Sequence, residues 1–298
     1  MSDEVVAVVT AFAPGPRLAE LVQSLLPQTA RVIVVDDSGS TDARPALLAA
    51  ETAGATLVRH SVNRGIAAAL NTGATAARTV TGARHLITFD EDSAVGAGFV
   101  DALVATLGTA RGAGIPAGLA APAAVSGQPA PAVRTQRGIL LGRTPIQSGL
   151  LVPFSTLDTV GEFAEELFID GVDTDYALRA ARAGLAVVHA RGTELGHSLG
   201  RRHTATIAGR TVELTHSAPF RYYYLARNRV LLNRRRRLYR GYRPARETLA
   251  DLRHLVIVSL FVPGRSARLR SAAAGLRDGW AGRTGRIPDT LEARLSRP

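Results

Sequence analysis

The 298-residue sequence contains no cysteine and no lysine, so all 36 of its basic residues are arginines. Without cysteine the chain has no disulfide, no thiolate nucleophile and no zinc–sulfur site. Any bound metal must be held by carboxylates, imidazoles, carbonyls or water, and this ligand set favours Mg²⁺ or Mn²⁺.

Long hydrophobic runs are also missing. The acidic start, MSDEVVAVVTAF, lacks the basic stretch and cleavage site of a secretory signal. The apolar run near the end, Leu255–Val262, is far shorter than the roughly 20 residues that a membrane span requires. We therefore expect a cytoplasmic protein, and we leave open a peripheral contact with the inner face of the plasma membrane.

Charge is distributed unevenly along the chain. Residues 1–200 contain 14 arginines and 19 acidic residues, whereas residues 201–298 contain 22 arginines and only 6 acidic residues. This asymmetry predicts a mildly acidic catalytic domain over residues 1–215. It also predicts a basic, helical C-terminal region over residues 216–298 that meets phosphates.

Short apolar runs alternate with helical patterns in the first 110 residues. The predicted strands are Val5–Val9, Val32–Val35, Thr56–Val58 and His85–Phe89, and the helices between them are Arg17–Leu26, Asp42–Ala53 and Ile66–Arg78. This alternation predicts right-handed βαβ units and a parallel sheet, in which ligands bind beyond the carboxyl ends of the strands.

The later part of the chain has a weaker pattern. Residues 111–135, rich in Ala, Gly and Pro, are predicted to cross the domain as irregular chain. Further predicted strands are Gly138–Leu141, Gly149–Val152 and Ala186–Val188, and further helices are Asp173–Ala183, Pro219–Leu238, Arg246–Leu260 and Ser266–Trp280.

The strongest local motif is HLITFDEDS, residues 85–93, in which an apolar strand leads directly into acidic residues. Residues i and i+2 of an extended chain point the same way, so Asp90 and Asp92 can face one divalent cation. Such a cation, completed by substrate phosphates, is how nucleotide diphosphates are usually bound. The alternative is a solvated acidic turn.

Two further segments follow predicted strands. Asp36 and Asp37 end one strand and can accept hydrogen bonds from a nucleoside, while Ser40 or Asp42 caps the next helix. In the segment from Asn63 to Gly73, Arg64 lies where a phosphate meets a helix start. The structural alternative is a tight turn at Gly65.

Carboxylates also crowd one later helix start. The helix needs fewer acids at its N-terminus than the three found here, Asp170, Asp173 and Asp175. One of them, if it lies beside an acceptor hydroxyl, can serve as general base. His197 follows an apolar stretch; an isolated histidine of this kind is more often structural than a metal ligand.

Eight segments in this order resemble the inverting glycosyltransferases of family 2, which have the GT-A fold. They are VVTAF, VVDDSGSTD, NRGIAAALNTG, ITFDEDS, QSGLLV, LFIDGVDTDYALRAARAG, GHSLG and HSAPFRYYYLARN. Among family members the likeness is greatest to bacterial rhamnosyltransferases that use dTDP-L-rhamnose. The resemblance implies an α/β GT-A fold with a Rossmann-like mixed sheet.

The resemblance also implies roles for individual residues. Nucleotide and donor binding fall to Thr10, Phe12, Asp36, Asp37, Asn63, Arg64, Asp90, Gln147, Ser148 and Gly149. Asp90 and Asp92 form a DxD motif that binds Mg²⁺ or Mn²⁺, and His197 completes the metal shell. Asp173 is the catalytic base.

The implied reaction moves a sugar from a dTDP- or UDP-linked donor to a hydroxyl of a cell-envelope or polysaccharide glycan, which can be lipid-linked. L-Rhamnose is the best-supported sugar; galactofuranose and a catalytically silent nucleotide-binding or membrane scaffold are the alternatives. Val172 departs from the family, which usually has Glu before the base. The Gln-x-x-Arg-Trp motif of processive synthases is absent, which favours single additions.

The basic C-terminal region interleaves tyrosines and arginines between residues 221 and 243. Three interpretations are open: contact with anionic lipid, a solvated basic helix pair, and nucleic-acid binding. We predict no nucleic-acid partner, because no recognised nucleic-acid module accompanies the cluster. A sugar-phosphate nucleotidyltransferase is disfavoured, because no Gly-rich, basic loop with lysine follows the first strand.

Overall fold

The structure is a computed structural model that describes residues 4–40, 44–197, 200–207, 209–239 and 241–295. The chain forms two compact units. The first comprises Met1–Glu165 and Val172–His197, and the second comprises Glu166–Gly171 and Ser198–Pro298. The functional division at residue 215 stays a prediction, and Asp42, a predicted helix cap, lies outside the described residues.

The first unit is α/β, built on a ten-stranded mixed sheet with strand order β3-β2-β1-β4-β9-β5-β10-β8-β7, and with β6 paired to β5. The strands are β1 Val5–Ala11, β2 Arg31–Asp36, β3 Thr56–Arg59, β4 His85–Asp90, β5 Ala117–Val125, β6 Gln128–Pro129, β7 Ala132–Gln136, β8 Ile139–Gly142, β9 Leu150–Pro153 and β10 Ala186–Leu195. The first four strands confirm the predicted parallel βαβ pattern.

Helices connect these strands: α1 Arg17–Leu25, α2 Arg44–Thr52, α3 Ile66–Ala77, α4 Phe99–Gly112, α5 Phe154–Val160 and α6 Val172–Arg182. Helix α3 packs closely on β1. A Cβ atom on Gly73 would lie only 2.2 Å from Cγ1 of Val8, so this contact requires a glycine. Gly73 therefore sets the distance between helix and sheet.

The strand directions bring several chain segments to one edge of the sheet. Strands β1, β2 and β4 are parallel, and β9 runs antiparallel to β4, with Thr88 opposite Leu150. Strand β5 runs antiparallel to β9, and β10 runs parallel to β5. The residues that follow β1, β2, β4 and β10 and those that precede β9 therefore meet at this edge.

The prediction of irregular chain over residues 111–135 is wrong. Strand β5 has nine residues and lies inside the sheet between β9 and β10. Its first six residues, 117–122, are buried. Alanine and glycine have little intrinsic preference for strands, so only the neighbouring strands and the tight space between layers select this conformation.

The second unit contains a β-hairpin and four α-helices among its described residues. These are β11 Arg201–Ile207, β12 Arg210–His216, α7 Pro219–Arg234, α8 Pro244–Phe261, α9 Arg265–Trp280 and α10 Asp289–Leu295. The three longest helices were predicted, whereas the hairpin was not. No helix in the described part of the chain is both long and apolar enough to cross a membrane.

A buried arginine organises this second unit. Arg227 on α7 donates hydrogen bonds to the carbonyls of Leu167 and Gly285, and its guanidinium lies over the ring of Tyr224. Burial lowers the pKa of Arg227, which the nearby phenol groups partly oppose. Its neighbour Asn228 donates to the carbonyls of Leu167, Ile169 and Asp170, so the segment before α6 is fastened to α7.

Candidate functional site

Three side chains at the carboxyl edge of the sheet form a cluster that can hold a metal ion. Asp90 ends β4, Asp92 follows it, and His197 follows β10. One ligand atom from each lies within 4.8 Å of the other two. The ring of His197 lies between the carboxylates, with Nε2 3.5 Å from Oδ2 of Asp90 and Nδ1 3.0 Å from Oδ1 of Asp92.

The donor set of this cluster fits Mg²⁺ or Mn²⁺. Two carboxylates supply hard oxygen ligands, and the imidazole supplies a nitrogen that Mn²⁺ also accepts. All three side chains are partly buried, and three protein ligands would leave the other positions of an octahedral shell to phosphate oxygens or water. The predicted grouping of Asp90, Asp92 and His197 is present in the fold.

Ser126 fixes the backbone of His197. Its Oγ donates to the carbonyl of His197 at 2.6 Å and accepts from the N–H of His197 at 3.0 Å. Ser126 has a φ of +47°, an unusual value for a residue other than glycine. This role could not be predicted from the sequence, because Ser126 lies within residues 111–135, which were predicted to be irregular.

Thr10, in β1, and Ser148, which precedes β9, both support Asp90. The buried Thr10 hydroxyl lies 3.4 Å from Oδ1 of Asp90 and 3.3 Å from the carbonyl of Phe89. The N–H of Asp90 donates to Oγ of Ser148 at 3.2 Å, and that oxygen lies 2.6 Å from Oγ of Ser93. The start of β9 and the end of β4 are thereby held together.

Glu91, the middle acid of the motif, fastens the loop after β1. Its Oε2 accepts the N–H of Phe12 at 2.7 Å. Burial raises the pKa of Glu91, hydrogen bonds from the backbone of Phe12 and Ala13 oppose this, and the charges of Asp92 and Asp90 add to the increase. Phe12 is 55% exposed, which is unusual for a phenylalanine.

Asp37 closes the loop that enters α3. Its Oδ1 accepts the N–H of Arg64 at 2.8 Å and lies 2.7 Å from Nδ1 of His60, and its Oδ2 accepts the N–H of Gly65 at 2.7 Å. Asn63 supports the same turn, with Oδ1 accepting the N–H of Gly65 at 3.0 Å. Gly65 has a φ of +90°, as expected for a tight strand-to-helix entry.

The two other predicted nucleotide-binding residues of this region lie beside that loop. The buried Asp36 accepts hydrogen bonds from the N–H and the hydroxyl of Ser38, at 3.0 and 2.6 Å. The half-exposed Arg64 guanidinium lies 3.5 Å from Oε2 of Glu165, which is a weak ion pair at a surface. This pair therefore holds the Arg64 side chain only weakly.

The segment before β9 carries a buried amide. Neither amide atom of Gln147 has a hydrogen-bond partner among the described residues. Its backbone is held, since its carbonyl accepts the hydroxyl of Thr88 at 2.5 Å and the N–H of Gly149 donates to the carbonyl of Thr88 at 2.7 Å. Buried amides normally find partners, so the Gln147 side chain is available to a ligand or to water.

The three acids around the start of α6 differ in their contacts. Asp170 forms an ion pair with Arg221, and the buried Asp175 forms one with Arg179 at 2.7 Å. Asp173 is half-buried in the first turn and accepts the N–H of Thr174 at 2.6 Å. Asp170 and Asp175 are therefore paired with arginines, and neither ion pair was predicted from the sequence.

Helix α6, whose first turn carries Asp173, packs against β10. The helix is joined to β10 by residues 183–185. Such a short connection makes helix and strand run in opposite directions. Since His197 follows the carboxyl end of β10, the start of α6 lies toward that end.

The sequence is similar to those of known glycosyltransferases. Residues 6–117 match the family described as glycosyl transferase family 2. The chain is 29% identical over 252 residues to the dTDP-rhamnosyl transferase RfbF of Shigella flexneri, covering 79% of this chain and 81% of that protein.

Two solved structures share the fold. The mannosyltransferase PcManGT from Pyrobaculum calidifontis, in complex with GDP-Man and Mn²⁺, has a TM-score of 0.54 at 19% identity over 99% of this chain and 79% of its own. TarS 1–349 of S. aureus, in complex with UDP-GlcNAc, has a TM-score of 0.54 at 13% identity over 97% of this chain and 83% of its own. The mixed sheet is therefore a GT-A fold.

Proposed function

We propose that this glycosyltransferase, whose residues 6–117 form a family 2 domain, transfers L-rhamnose from dTDP-L-rhamnose to a hydroxyl of a cell-envelope or polysaccharide glycan, with inversion at the anomeric carbon. The cluster of Asp90, Asp92 and His197 supports this proposal most directly. It provides the two carboxylates and the imidazole that would hold Mg²⁺ or Mn²⁺ against a diphosphate.

We propose L-rhamnose as the transferred sugar because a relative of this chain is a rhamnosyl transferase. RfbF is a dTDP-rhamnosyl transferase, and the similarity extends over most of both chains. Sugar specificity at this level of identity depends on pocket residues. The unpartnered amide of Gln147 is the group we assign to contact with the donor sugar, because a buried amide favours a ligand that can both donate and accept hydrogen bonds.

Each remaining site residue has a proposed task. The exposed Phe12 stacks on the base, and Asp36 accepts a hydrogen bond from the nucleoside. Asp37 and Asn63 hold the turn at Gly65 and so shape the loop that presents Arg64 to phosphate. Thr10, Ser148 and Gly149 hold the end of β4, so that Asp90 stays directed to the diphosphate. A bound divalent cation would stabilise the negative charge on the departing nucleotide.

Asp173 is the proposed general base. Its carboxylate accepts the proton of the acceptor hydroxyl, whose oxygen attacks the anomeric carbon while the nucleotide diphosphate departs from the opposite face. A single displacement inverts the configuration and needs no covalent nucleophile. The N-terminus of α6 favours the ionised form of a carboxylate, and a base must be ionised to accept a proton.

A donor screen tests this proposal. Melting temperatures are measured with Mn²⁺ and dTDP-L-rhamnose, dTDP, UDP-galactofuranose, UDP-glucose or GDP-mannose, because a true donor stabilises the fold by mass action. We expect the largest shift with dTDP-L-rhamnose, and release of dTDP from it on addition of acceptor. A larger shift with UDP-galactofuranose would replace the sugar in the proposal, and no shift with any of them would contradict donor binding.

The stereochemistry needs a separate measurement. The anomeric configuration of the transferred sugar is read by NMR from the one-bond carbon–hydrogen coupling in the product. We expect a configuration opposite to that of the donor. Retention would exclude the single displacement and the role of Asp173 as base.

A further inference from the structure

Helix α8 carries an exposed apolar face that nothing in the described part of the chain covers. Leu249, Leu252, Val256 and Leu260 are spaced by three, four and four residues, so they lie on one side of the 18-residue helix. They are among the most exposed large hydrophobic side chains of the protein, at 65%, 54%, 47% and 68%. Single exposed leucines are ordinary, but an aligned row of four is not.

The opposite side of α8 packs against its own unit. Val258 is buried in a cluster with Tyr222, Val262 and Ala272. Asp251 lies two turns before Val258 and forms an ion pair with Arg229 of α7 at 2.6 Å. Glu247 lies three turns before Val258 and so shares that side. Both acids of α8 are therefore directed away from the exposed row.

Arginines border the exposed row instead. Arg253 lies between Leu249 and Val256 at helical spacing, and Arg246 lies one turn before Leu249. Both are exposed. The face thus combines aliphatic side chains with positive charge and has no acidic residue. This composition differs from the predicted apolar face at Leu255–Val262, whose Val258 and Val262 are buried.

Helix α9 repeats the same arrangement. Its Ala267, Ser271, Gly275 and Gly279 are buried, and the two glycines pack so closely on α7 that a Cβ would lie within 3 Å of backbone atoms of Tyr223 and Arg227. On its other side Leu269, Leu276 and Trp280 are exposed, the last at 72%. An exposed tryptophan with leucines and arginines is typical of the lipid headgroup region.

We propose that the exposed row of α8 (Leu249, Leu252, Val256 and Leu260, bordered by Arg246 and Arg253) docks on an anionic lipid bilayer, with α8 lying in the plane of the surface. The charge of this region favours an anionic bilayer over a second copy of the chain as the partner of the exposed row. The region from residue 201 onward has 22 arginines and 6 acidic residues, so a second copy of the chain would bring like charge to the same place. Anionic headgroups complement the arginines, and acyl chains accept the leucines.

The experiment measures co-sedimentation of the full chain with vesicles of phosphatidylcholine alone and of phosphatidylcholine with phosphatidylglycerol. We expect binding to the anionic vesicles that weakens with salt, and little binding to the neutral ones. Arg246→Gln with Arg253→Gln should weaken partition about 30-fold, and Leu249→Gln with Leu260→Gln at least tenfold. Leu48→Gln, at an exposed leucine of α2, is the matched control and should not change partition.

Further measurements separate membrane docking from misfolding, from a failed active site and from dimerisation. Donor hydrolysis and circular dichroism should be unchanged in all of these variants, so loss of vesicle binding cannot be attributed to misfolding or to a failed active site. No binding of the intact chain to anionic vesicles at low salt would overturn the proposal. So would light scattering that shows a dimer which the leucine variant dissociates, because the row would then bind a second copy.

Discussion

Nδ1 of His197 lies 3.0 Å from Oδ1 of Asp92, and Nε2 of the same ring lies 3.5 Å from Oδ2 of Asp90. One imidazole, which follows β10, therefore spans two carboxylates at the end of β4. The contact depends on the position of β10 in the sheet, on the same side of β4 as β9 and β5.

Asp92→Asn should weaken Mn²⁺ binding at least tenfold, because the substitution removes one of the two charged oxygen ligands of the cluster. Titration followed by Mn²⁺ electron paramagnetic resonance measures this directly. Asp101→Asn, at an exposed acid in the first turn of α4, is the control and should bind Mn²⁺ like the unaltered chain. Equal affinity of both variants would remove Asp92 from the metal site.

Ser126→Ala should reduce Mn²⁺ affinity about tenfold without a contact to the metal, because groups that orient a ligand typically contribute 10–100-fold. The substitution leaves the N–H of His197 without the hydroxyl that it now contacts at 3.0 Å. Thr106→Ala, which removes a hydroxyl bonded within α4, serves as control. If the two variants bind Mn²⁺ equally well, Ser126 does not position His197.

Asp173→Asn should lower kcat by about 10²–10⁴ while the affinity for donor stays unchanged, because general-base assistance contributes this much and the donor does not require it. Single-turnover transfer and donor binding are measured on the same preparation. Asp158→Asn is the matched control, since Asp158 is an exposed acid that pairs with Arg78. Full activity of the Asp173 variant would exclude it as the base.

Gly73→Ala should destabilise the protein by about 1–3 kcal/mol, because the added Cβ would lie 2.2 Å from Val8 and force α3 away from β1. Gly108→Ala in α4 provides the opposite case. Nothing lies within 4 Å of its added Cβ, so the substitution should stabilise by about 0.5–1 kcal/mol. Urea unfolding of the two variants should therefore shift in opposite directions.

The protein should lose stability on acidification because of His189. Burial lowers the pKa of His189, although its hydrogen bond to the carbonyl of Pro122 at 2.8 Å opposes this. The unfolded chain then binds a proton near pH 6.5 while the folded chain does not. Stability is therefore complete above about pH 6.5 and falls as the pH drops toward the folded pKa.

This pH dependence can be assigned by substitution. The free energy of unfolding of the unaltered chain and of His189→Gln is compared at pH 7.5 and 5.5. The difference between the two pH values should be smaller in the variant. His85 and His254, whose pKa values burial also lowers, should supply the remainder. An equal difference in both proteins would show that His189 does not contribute.

The sequence alone determined the first four strands of the sheet, the helices between them and the identity of the acids that follow β4. Apolar runs of strand length and helical spacing are local properties, so they can be read without neighbours. The alanine-rich β5 could not be read in this way, because its conformation depends on β9 and β10 on either side.

Only the tertiary structure decided which polar groups act together. In the folded chain Asp92 contacts His197, and Ser126 forms hydrogen bonds with the backbone of His197. Asp37 accepts hydrogen bonds from the turn at Gly65. The tertiary structure also turned the exposed row of α8 outward, while Val258 of the same apolar run was buried. Contacts between distant residues depend on strand order and helix packing, which no local pattern of side chains records.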